Sequence, residues 1–429
     1  MSHSALETGN RQKLQKNDQI RIRKDIRSLT QDELDHLINA WIFVQNNEPD
    51  PDTLPDNPNT VSFFNIAGFH GEPFRGAGYS SSQWWGGYCN HGNVLFPTWH
   101  RAYLLCLENA LQQYDKTVSI ALPYWNEIDT DGNNPIPKIF LQKTYVFKNG
   151  KEVPNPLYSY KLASAIRDRL LPIPDADYSK YKGYNTVRYP FSGLVGTPDV
   201  ATTDAHNSLM QELNTLKDGT TDSLLQSNVY NWLRATVIND QGVTVGGSTA
   251  DNYIRSLFAP NYTVFSNTTS AEKWNDDRFD DSSAGGLGTA DDAVMPLERP
   301  HNAVHLAVGG FEVPGIPSRS YIPDANGDMG ENDTASFDPI FFFHHCFIDL
   351  VFWAWQTKHN QDTQLDLMEF YPGTNSVDSQ GPTPGITGNT WLNLETPLNP
   401  FPRNSNASSA LLVFLLPEVY VDANQCHRM

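Results

Sequence analysis

The sequence is poor in cysteine, in basic residues and in long apolar runs. Four cysteines among 429 residues are too few for the disulfide framework of a small secreted domain. No apolar run approaches the roughly 20 residues that a membrane-spanning helix needs. Lysine and arginine total 30 against 49 acidic residues, a net charge of −19. This charge disfavours nucleic acid and anionic membranes as partners.

The N-terminus also lacks the basic start and apolar core of a secretory signal. Together with the scarcity of cysteine, this predicts a cytoplasmic, intracellular protein. Glycosylation motifs begin at Asn261, Asn267, Asn332 and Asn406, but such short motifs arise by chance in a chain rich in asparagine and threonine. We therefore expect Asn332 to be unmodified.

Aromatic residues and loop-forming residues are plentiful. Aromatics make up 12% of the chain, with 10 tryptophans, and glycine and proline number 29 each. This composition predicts a densely packed globule with long irregular loops. No internal repeat or linker divides the chain, so we expect one domain over 1–429 with a core at about 30–400. We expect 1–28 to form a peripheral arm and 239–293 to be loop-rich.

The clearest helix signal is a capping box, in which Thr30 stands three residues before Glu33. Apolar residues follow at helical spacing and predict a helix over about 31–46. Residues 338–355 predict a second, fully buried helix, with Asp338 as N-cap and Pro339 at the first helical position.

Two adjacent histidines, His344 and His345, lie in the middle of the buried helix. A single buried histidine is usually explained by a hydrogen bond to a core carbonyl. Two in one helix favour a metal site, because neutral imidazole is the commonest metal ligand. His301 and His305, four residues apart, share one helix face.

Six histidines take inward-facing or helix-terminal positions. Three of them lie early in the sequence and three lie late. They are His70, His91, His100, His301, His305 and His345. Helices are expected to supply five or six of them. Three imidazoles without a carboxylate or thiolate suit copper better than magnesium or calcium, and zinc remains open on ligand type. A zinc protease is excluded by mechanism, because Asn302 stands where that motif has its glutamate base.

Two stretches resemble the copper motifs of the tyrosinase and polyphenol oxidase family, closest to its fungal members. The first runs from Cys89-x-His91 to His100-Arg101, and the second is the Asp-Pro-Ile-Phe-Phe-Phe-His-His run at 338–345. The resemblance covers about 30–400. It implies a mainly α fold with few short strands, in which a four-helix bundle houses a type-3 dicopper site. Dioxygen would be the co-substrate.

The resemblance implies a role for each of these residues. His70, His91 and His100 would hold one copper, and His301, His305 and His345 the other. His345 is preferred over His344 because related hemocyanins keep only the second histidine of the pair. Cys89 would be joined to His91 through a thioether. Glu298 and Asn302 would polarise a water that deprotonates a phenol, with helix capping as the alternative for Glu298. Phe341 and His305 would contact the substrate.

The function that follows is hydroxylation of monophenols and oxidation of o-diphenols to o-quinones, as in melanin formation. A catechol oxidase without the first step is the alternative within the family, and a hemocyanin-like oxygen carrier is the alternative from another class. Expected partners are small phenols, with a homodimer and a copper chaperone left open. The family's C-terminal covering domain and its copper-loading Cys-x-x-Cys motif are not expected, which disfavours a carrier.

Overall fold

The computed structural model describes most of the chain between residues 21 and 401. The described ranges are 21–49, 60–74, 86–129, 131–167, 179–191, 219–235, 244–278, 293–310, 327–378 and 385–401, with scattered positions at 201–213, 237–238 and 383. The C-terminal segment Leu411–Leu416 and residues 1–20 lie outside them. None of the described helices is long and apolar enough to cross a membrane.

Helices dominate the described part of the chain. They are α1 (Gln31–Asn46), α2 (Phe63–Gly68), α3 (Phe96–Leu111), α4 (Gly219–Arg234), α5 (Thr249–Ser256), α6 (Tyr262–Ser266), α7 (Thr268–Asp276), α8 (Glu298–Gly309) and α9 (Ile340–His359). The described strands form three antiparallel pairs. These are β1 (Thr144–Val146) with β2 (Glu152–Pro154), β3 (Ile166–Arg167) with β4 (Ser179–Lys180), and β5 (Val237–Ile238) with β6 (Thr244–Gly246). The predicted fold class, mainly helical with few short strands, is confirmed.

Helix α9 lies at the centre of the core and is buried over most of its length. Helix α3 packs along it. From α1, Trp41 stacks on Phe343 with ring centroids 5.6 Å apart, and from α2, Phe63 meets Phe342 edge-on at 5.7 Å. Such aromatic pairs add to the stabilisation from apolar burial. From Ile340 to Phe352 every residue of α9 is buried, which explains why this part of the helix has no exposed polar face.

Helix α1 matches its predicted bounds and carries both hydrogen bonds of the predicted capping box. Helix α9 begins at Ile340, slightly later than predicted. Asp338 still accepts a hydrogen bond from the Ile340 N–H at 3.1 Å. Its carboxylate also pairs with the Arg188 guanidinium, at 2.7 Å from Nε and 2.6 Å from Nη2. The predicted cap residue therefore also ties the helix start to the segment that carries Arg188.

The expectation of a peripheral arm is wrong for residues 21–28. Arg23 is buried and donates to Glu108 of α3 at 2.6 Å and to Asp349 of α9 at 2.7 Å. Backbone hydrogen bonds join Lys24 and Ile26 to Tyr124. The sequence here is polar because its charges pair inside the protein, which local pattern alone does not reveal.

The expectation that 239–293 is loop-rich is also wrong for the described part, which contains α5, α6 and α7. Each of these short helices begins at a side chain that accepts a backbone N–H. The three N-cap residues are Ser248, Asn261 and Asn267. The two asparagines also begin glycosylation motifs. Their capping role explains the local sequence better, because serine and asparagine are among the most favourable N-caps.

Removing the Arg23 charge should destabilise the protein strongly. Arg23→Met leaves Glu108 and Asp349 with one fewer buried partner, and breaking a buried ion pair in this way costs about 3–5 kcal/mol. The free energy of unfolding, measured by urea denaturation, should fall accordingly. Lys148→Met is the control, because the Lys148–Asp32 pair is exposed and screened by solvent, so its loss should leave the free energy of unfolding nearly unchanged. Equal effects of the two variants would contradict the structural role of Arg23.

Candidate metal centre

Two groups of histidines converge in the core. One contains His70, His91 and His100, and the other contains His301, His305, His344 and His345. Within each group, the candidate ligand nitrogens lie within 4.8 Å of one another. The structure thus brings together all six histidines that the sequence singled out, together with His344.

Helices supply four of these six histidines, fewer than the five or six expected. His100 lies on α3, His301 and His305 on α8, and His345 on α9. His70 follows the end of α2 by two residues, and His91 lies in the loop before α3. Two positions in the first group therefore depend on loop contacts rather than on helix geometry.

In the first group, carbonyl oxygens hold two of the rings through Nδ1. His70 Nδ1 lies 3.1 Å from the Asn332 carbonyl oxygen, and His100 Nδ1 lies 2.8 Å from that of Phe96. A carbonyl only accepts, so each Nδ1 carries the proton and each Nε2 keeps its lone pair. Both Nε2 atoms are buried without a hydrogen-bond partner among the described residues. Buried nitrogens in this state are suited to a metal ion.

His91 is half-buried, and Glu298 of α8 fixes its loop. The Glu298 carboxylate accepts a hydrogen bond from the Gly92 N–H at 2.6 Å. Its other oxygen accepts from the Thr268 N–H at 2.8 Å and hydroxyl at 3.0 Å. Burial raises the pKa of Glu298, although these hydrogen bonds oppose the shift. Glu298 thus joins the first group's loop to the helix that carries the second group.

In the second group, His345 Nε2 lies 3.3 Å from both His301 Nε2 and His305 Nε2. Imidazole nitrogens bind first-row metal ions at about 2.0–2.1 Å, so two that share one ion tetrahedrally lie about 3.3 Å apart. His301 Nδ1 is 2.8 Å from Asn302 Oδ1, and His305 Nδ1 is 2.8 Å from the Met329 carbonyl oxygen. These acceptors fix both rings with Nε2 toward the common point.

His344 differs from its neighbour because a carboxylate holds it. Its Nδ1 lies 2.5 Å from Glu127, which also accepts a hydrogen bond from the Tyr253 hydroxyl. Burial raises the pKa of Glu127 well above its usual range and lowers that of His344 to about 3. The geometry favours His345 as the third ligand and His344 as a packing residue. Sequence reasoning missed Glu127, since no local pattern links it to a residue more than 200 positions away.

The two groups lie close enough to share a small ligand. The His100 and His345 rings stack across the boundary with centroids 4.4 Å apart, and His91 and His301 are 5.8 Å apart. Phe341 is fully buried between the groups, with its centroid 4.1 Å from that of His345 and 4.8 Å from that of His70. The substrate contacts assigned to Phe341 and His305 stay predictions.

The donor set fits two copper ions. Burial first, and the neighbouring imidazoles second, hold the pKa values of His70, His100 and His301 well below their usual range. Neutral imidazoles can coordinate a metal without losing a proton. Neither group contains a carboxylate or thiolate ligand, which disfavours magnesium, calcium and most non-haem iron sites.

Cys89 is buried beside the first group. Asn332 Nδ2 approaches its sulfur at 3.9 Å, and burial raises the pKa of the thiol to about 12. Asn332 thus contacts Cys89 through its side chain and His70 through its carbonyl. The glycosylation motif at Asn332 therefore coincides with a residue that is half-buried against the metal centre.

Comparisons with known proteins agree with this geometry. The family profile described as the common central domain of tyrosinase matches residues 60–358. A tyrosinase from Aspergillus oryzae is 52% identical over 93% of this chain and 72% of that protein. A tyrosinase from a Hahella species is 44% identical over 86% of this chain and 64% of that protein. The solved structure of the Burkholderia thailandensis tyrosinase at low pH has a TM-score of 0.73 at 42% identity, covering 92% of this chain and 72% of that chain.

The helical fold and the two adjacent imidazole groups define a dinuclear copper protein of the type-3 class. The chain belongs to the tyrosinase family. The family resemblance seen in the sequence is confirmed, as are copper as cofactor and dioxygen as co-substrate. A hemocyanin-like carrier is not favoured, because these close relatives are tyrosinases.

The first prediction for the metal centre is stoichiometric. Copper-loaded protein should contain two copper ions per chain, because the first group offers three converging nitrogens and the second offers at least three. Elemental analysis of protein freed of loose metal by gel filtration checks this number. One copper per chain, or zinc in its place at full occupancy, would contradict the dinuclear assignment.

His345→Ala and His344→Ala form a matched pair that tests the ligand assignment. His345→Ala should lose the copper of the second group, because the His345 Nε2 atom lies 3.3 Å from both His301 Nε2 and His305 Nε2. His344→Ala should retain both coppers with weakened affinity, because it removes packing without removing a ligand. Copper content measured by equilibrium dialysis separates these outcomes, and the reverse order would show that His344 is the ligand.

Proposed function

We propose that this chain hydroxylates monophenols to o-diphenols and oxidises o-diphenols to o-quinones. The observation that carries this proposal is the pair of adjacent, all-imidazole groups joined by the His100–His345 stack. The residues of each group would hold one copper ion. When bound, the copper ions supply the binding of dioxygen and its redox chemistry.

The protein's own part begins with holding the ligands in a neutral, preorganised state. Backbone carbonyls and Asn302 fix four of the imidazole rings through Nδ1. Phe341 and the other buried aromatic rings of α9 exclude water from the inner side of the site. A rigid and dry surrounding avoids reorganisation during the reaction and protects reactive species from side reactions.

Monophenol hydroxylation also requires removal of the phenol proton. Asn302 lies on the exposed side of His301, and its Oδ1 is held by the His301 ring. The Glu298 carboxylate uses three of its roughly four acceptor positions on Gly92 and Thr268. Counting donors from the described residues alone, this leaves one position that can orient a water molecule. We assign to Glu298 and Asn302 the polarisation of a water that accepts the phenol proton.

Small phenols are the substrates that this family acts on. A catechol oxidase, which differs by the monophenol step alone, is not favoured, because the close relatives are tyrosinases. The homodimer, the copper chaperone and the intracellular location stay predictions.

We further propose that a thioether joins Cys89 to His91. Forming the carbon–sulfur bond breaks one S–H bond and one C–H bond of the ring, and dioxygen takes up the two electrons and two protons to leave as hydrogen peroxide. Cys89 is buried and precedes His91 by two residues in the loop before α3. His91 is the one ligand of the first group that no helix or adjoining helix end carries, so the cross-link would immobilise its ring.

A mass measurement tests the cross-link. The denatured peptide that contains both residues should be about two daltons lighter than the unlinked peptide, because two hydrogens are lost. Protein prepared without copper is the control and should give the unlinked mass. An unlinked peptide from fully copper-loaded protein would contradict the proposal, and Cys89→Ala should then be harmless.

The role of Asn302 is tested by comparing two substrates. Asn302→Ala should depress monophenol turnover far more than o-diphenol turnover. One lost transition-state hydrogen bond costs about 2–4 kcal/mol, roughly a hundredfold or more in rate. Asn109→Ala, at an exposed asparagine of α3, is the control and should affect neither substrate. Copper content is measured in parallel, because Asn302 also orients His301.

Equal loss on both substrates at full copper occupancy would contradict the selective role of Asn302. Glu298→Gln should also lower monophenol turnover. The new amide NH2 group of this variant would face the N–H of Gly92 or Thr268, and two donors cannot bond to each other. The His91 loop should therefore loosen, and the variant should also lose copper from the first group. Absence of monophenol activity in the unmodified protein would establish the catechol oxidase alternative.

A further inference from the structure

One short segment orients a ligand in each histidine group. This bridging segment is 327–334, which leads into α9. The Met329 carbonyl oxygen lies 2.8 Å from His305 Nδ1, and the Asn332 carbonyl oxygen lies 3.1 Å from His70 Nδ1. Three residues of chain span at most about 10 Å, so the segment cannot shift without moving both acceptors.

The bridging segment lies directly against the metal-binding helix α8. A Cβ added to Gly309 would lie 1.9 Å from the Gly330 nitrogen, so only glycine allows the two backbones to approach so closely. At its far end, Asp333 Oδ1 accepts a hydrogen bond from the Gly86 N–H at 2.8 Å. The segment is therefore fitted between α8 and the loop that leads to His91.

Asp328 anchors the near end of the segment. One carboxylate oxygen forms an ion pair with Lys180, and the other accepts a hydrogen bond from the Val187 N–H at 2.7 Å. The Asp328 N–H donates to the Val187 carbonyl oxygen at 2.9 Å. Tyr184 contributes its hydroxyl, 3.1 Å from Lys180 Nζ. Both charged side chains are about 1% exposed, so their attraction is little screened by solvent.

We propose that Lys180 is a positioning residue for the metal centre. By holding Asp328, it fixes the bridging segment, and through the carbonyl oxygens of Met329 and Asn332 it sets the orientation of His305 and His70. One remote ion pair thereby controls the orientation of one ligand in each group, and it keeps the relative position of these two ligands fixed. The inference rests on the proposed ligand set.

The alternative is that Lys180 only stabilises the fold. Arg23 provides a matched comparison, because it is also a buried cation paired with buried carboxylates. Arg23 binds the side chains of Glu108 and Asp349, and neither of these residues lies next to a carbonyl that holds a ligand ring. Loss of either cation should lower stability, whereas only loss of Lys180 should disturb the geometry of bound metal.

The test compares Lys180→Met with Arg23→Met in folded, copper-loaded protein. Two coupled copper(II) ions give no EPR signal, whereas an isolated copper(II) ion does. In Lys180→Met, the bridging segment should no longer hold His305 and His70 in place, and misplacement of a positioned group by about 1 Å already has large effects. The two copper ions should then be uncoupled in part of the molecules, and the EPR-visible fraction of bound copper should rise at least about fivefold. Arg23→Met should keep the silent spectrum of the unmodified protein while melting at a lower temperature.

An EPR-visible fraction in Lys180→Met equal to that of Arg23→Met would overturn the inference and leave the ligand set intact. If Lys180→Met does not fold, the double variant Lys180→Met with Asp328→Asn replaces it, because that variant buries no unpaired charge. The same rise is expected there, and a silent spectrum at two coppers per chain would overturn the inference. An EPR-visible spectrum from unmodified protein at full loading would overturn both the ligand set and the inference.

Discussion

The structure depends on one constraint, which is that each ligand imidazole must present an unprotonated nitrogen to the metal. A free imidazole exchanges its proton between two nitrogens, so the fold has to choose one. For His70, His100 and His305 the choice is made by a backbone carbonyl that accepts from Nδ1, and for His301 it is made by the Asn302 side chain. Burial then keeps the rings neutral. The positions of acceptors, rather than of histidines alone, define the centre.

This constraint explains why charged residues lie so deep in the protein. Carbonyls can fix a ring only if their own backbone is fixed, and ion pairs at Asp328 and Asp338 hold the two ends of the stretch that leads into α9. Glu298 performs a similar task for the His91 loop. A buried ion pair adds little net stability compared with apolar packing, so its value here is in placing backbone with directional bonds.

Local pattern predicted the parts of the molecule that local physics determines. The capping box at Thr30 and the buried run after Pro339 each describe one helix. The first helix has its predicted bounds, and the second starts within a residue or so of its predicted start but continues to His359, beyond the predicted end at 355. For the same reason, the two copper motifs singled out His91, His100 and His345, and the helical spacing singled out His301 and His305. Glu127, Lys180 and Arg23 escaped prediction because their partners lie between 85 and 326 residues away along the chain. Such pairings follow from tertiary packing, which no short window contains.

The account's central claim is that two copper ions are each held by three imidazole Nε2 atoms. Diffraction from copper-loaded crystals, recorded on both sides of the copper absorption edge, tests it most directly. The predicted result is two anomalous peaks, one among His70, His91 and His100 and one among His301, His305 and His345. A single peak, or a second peak bonded to His344 in place of His345, would contradict the account.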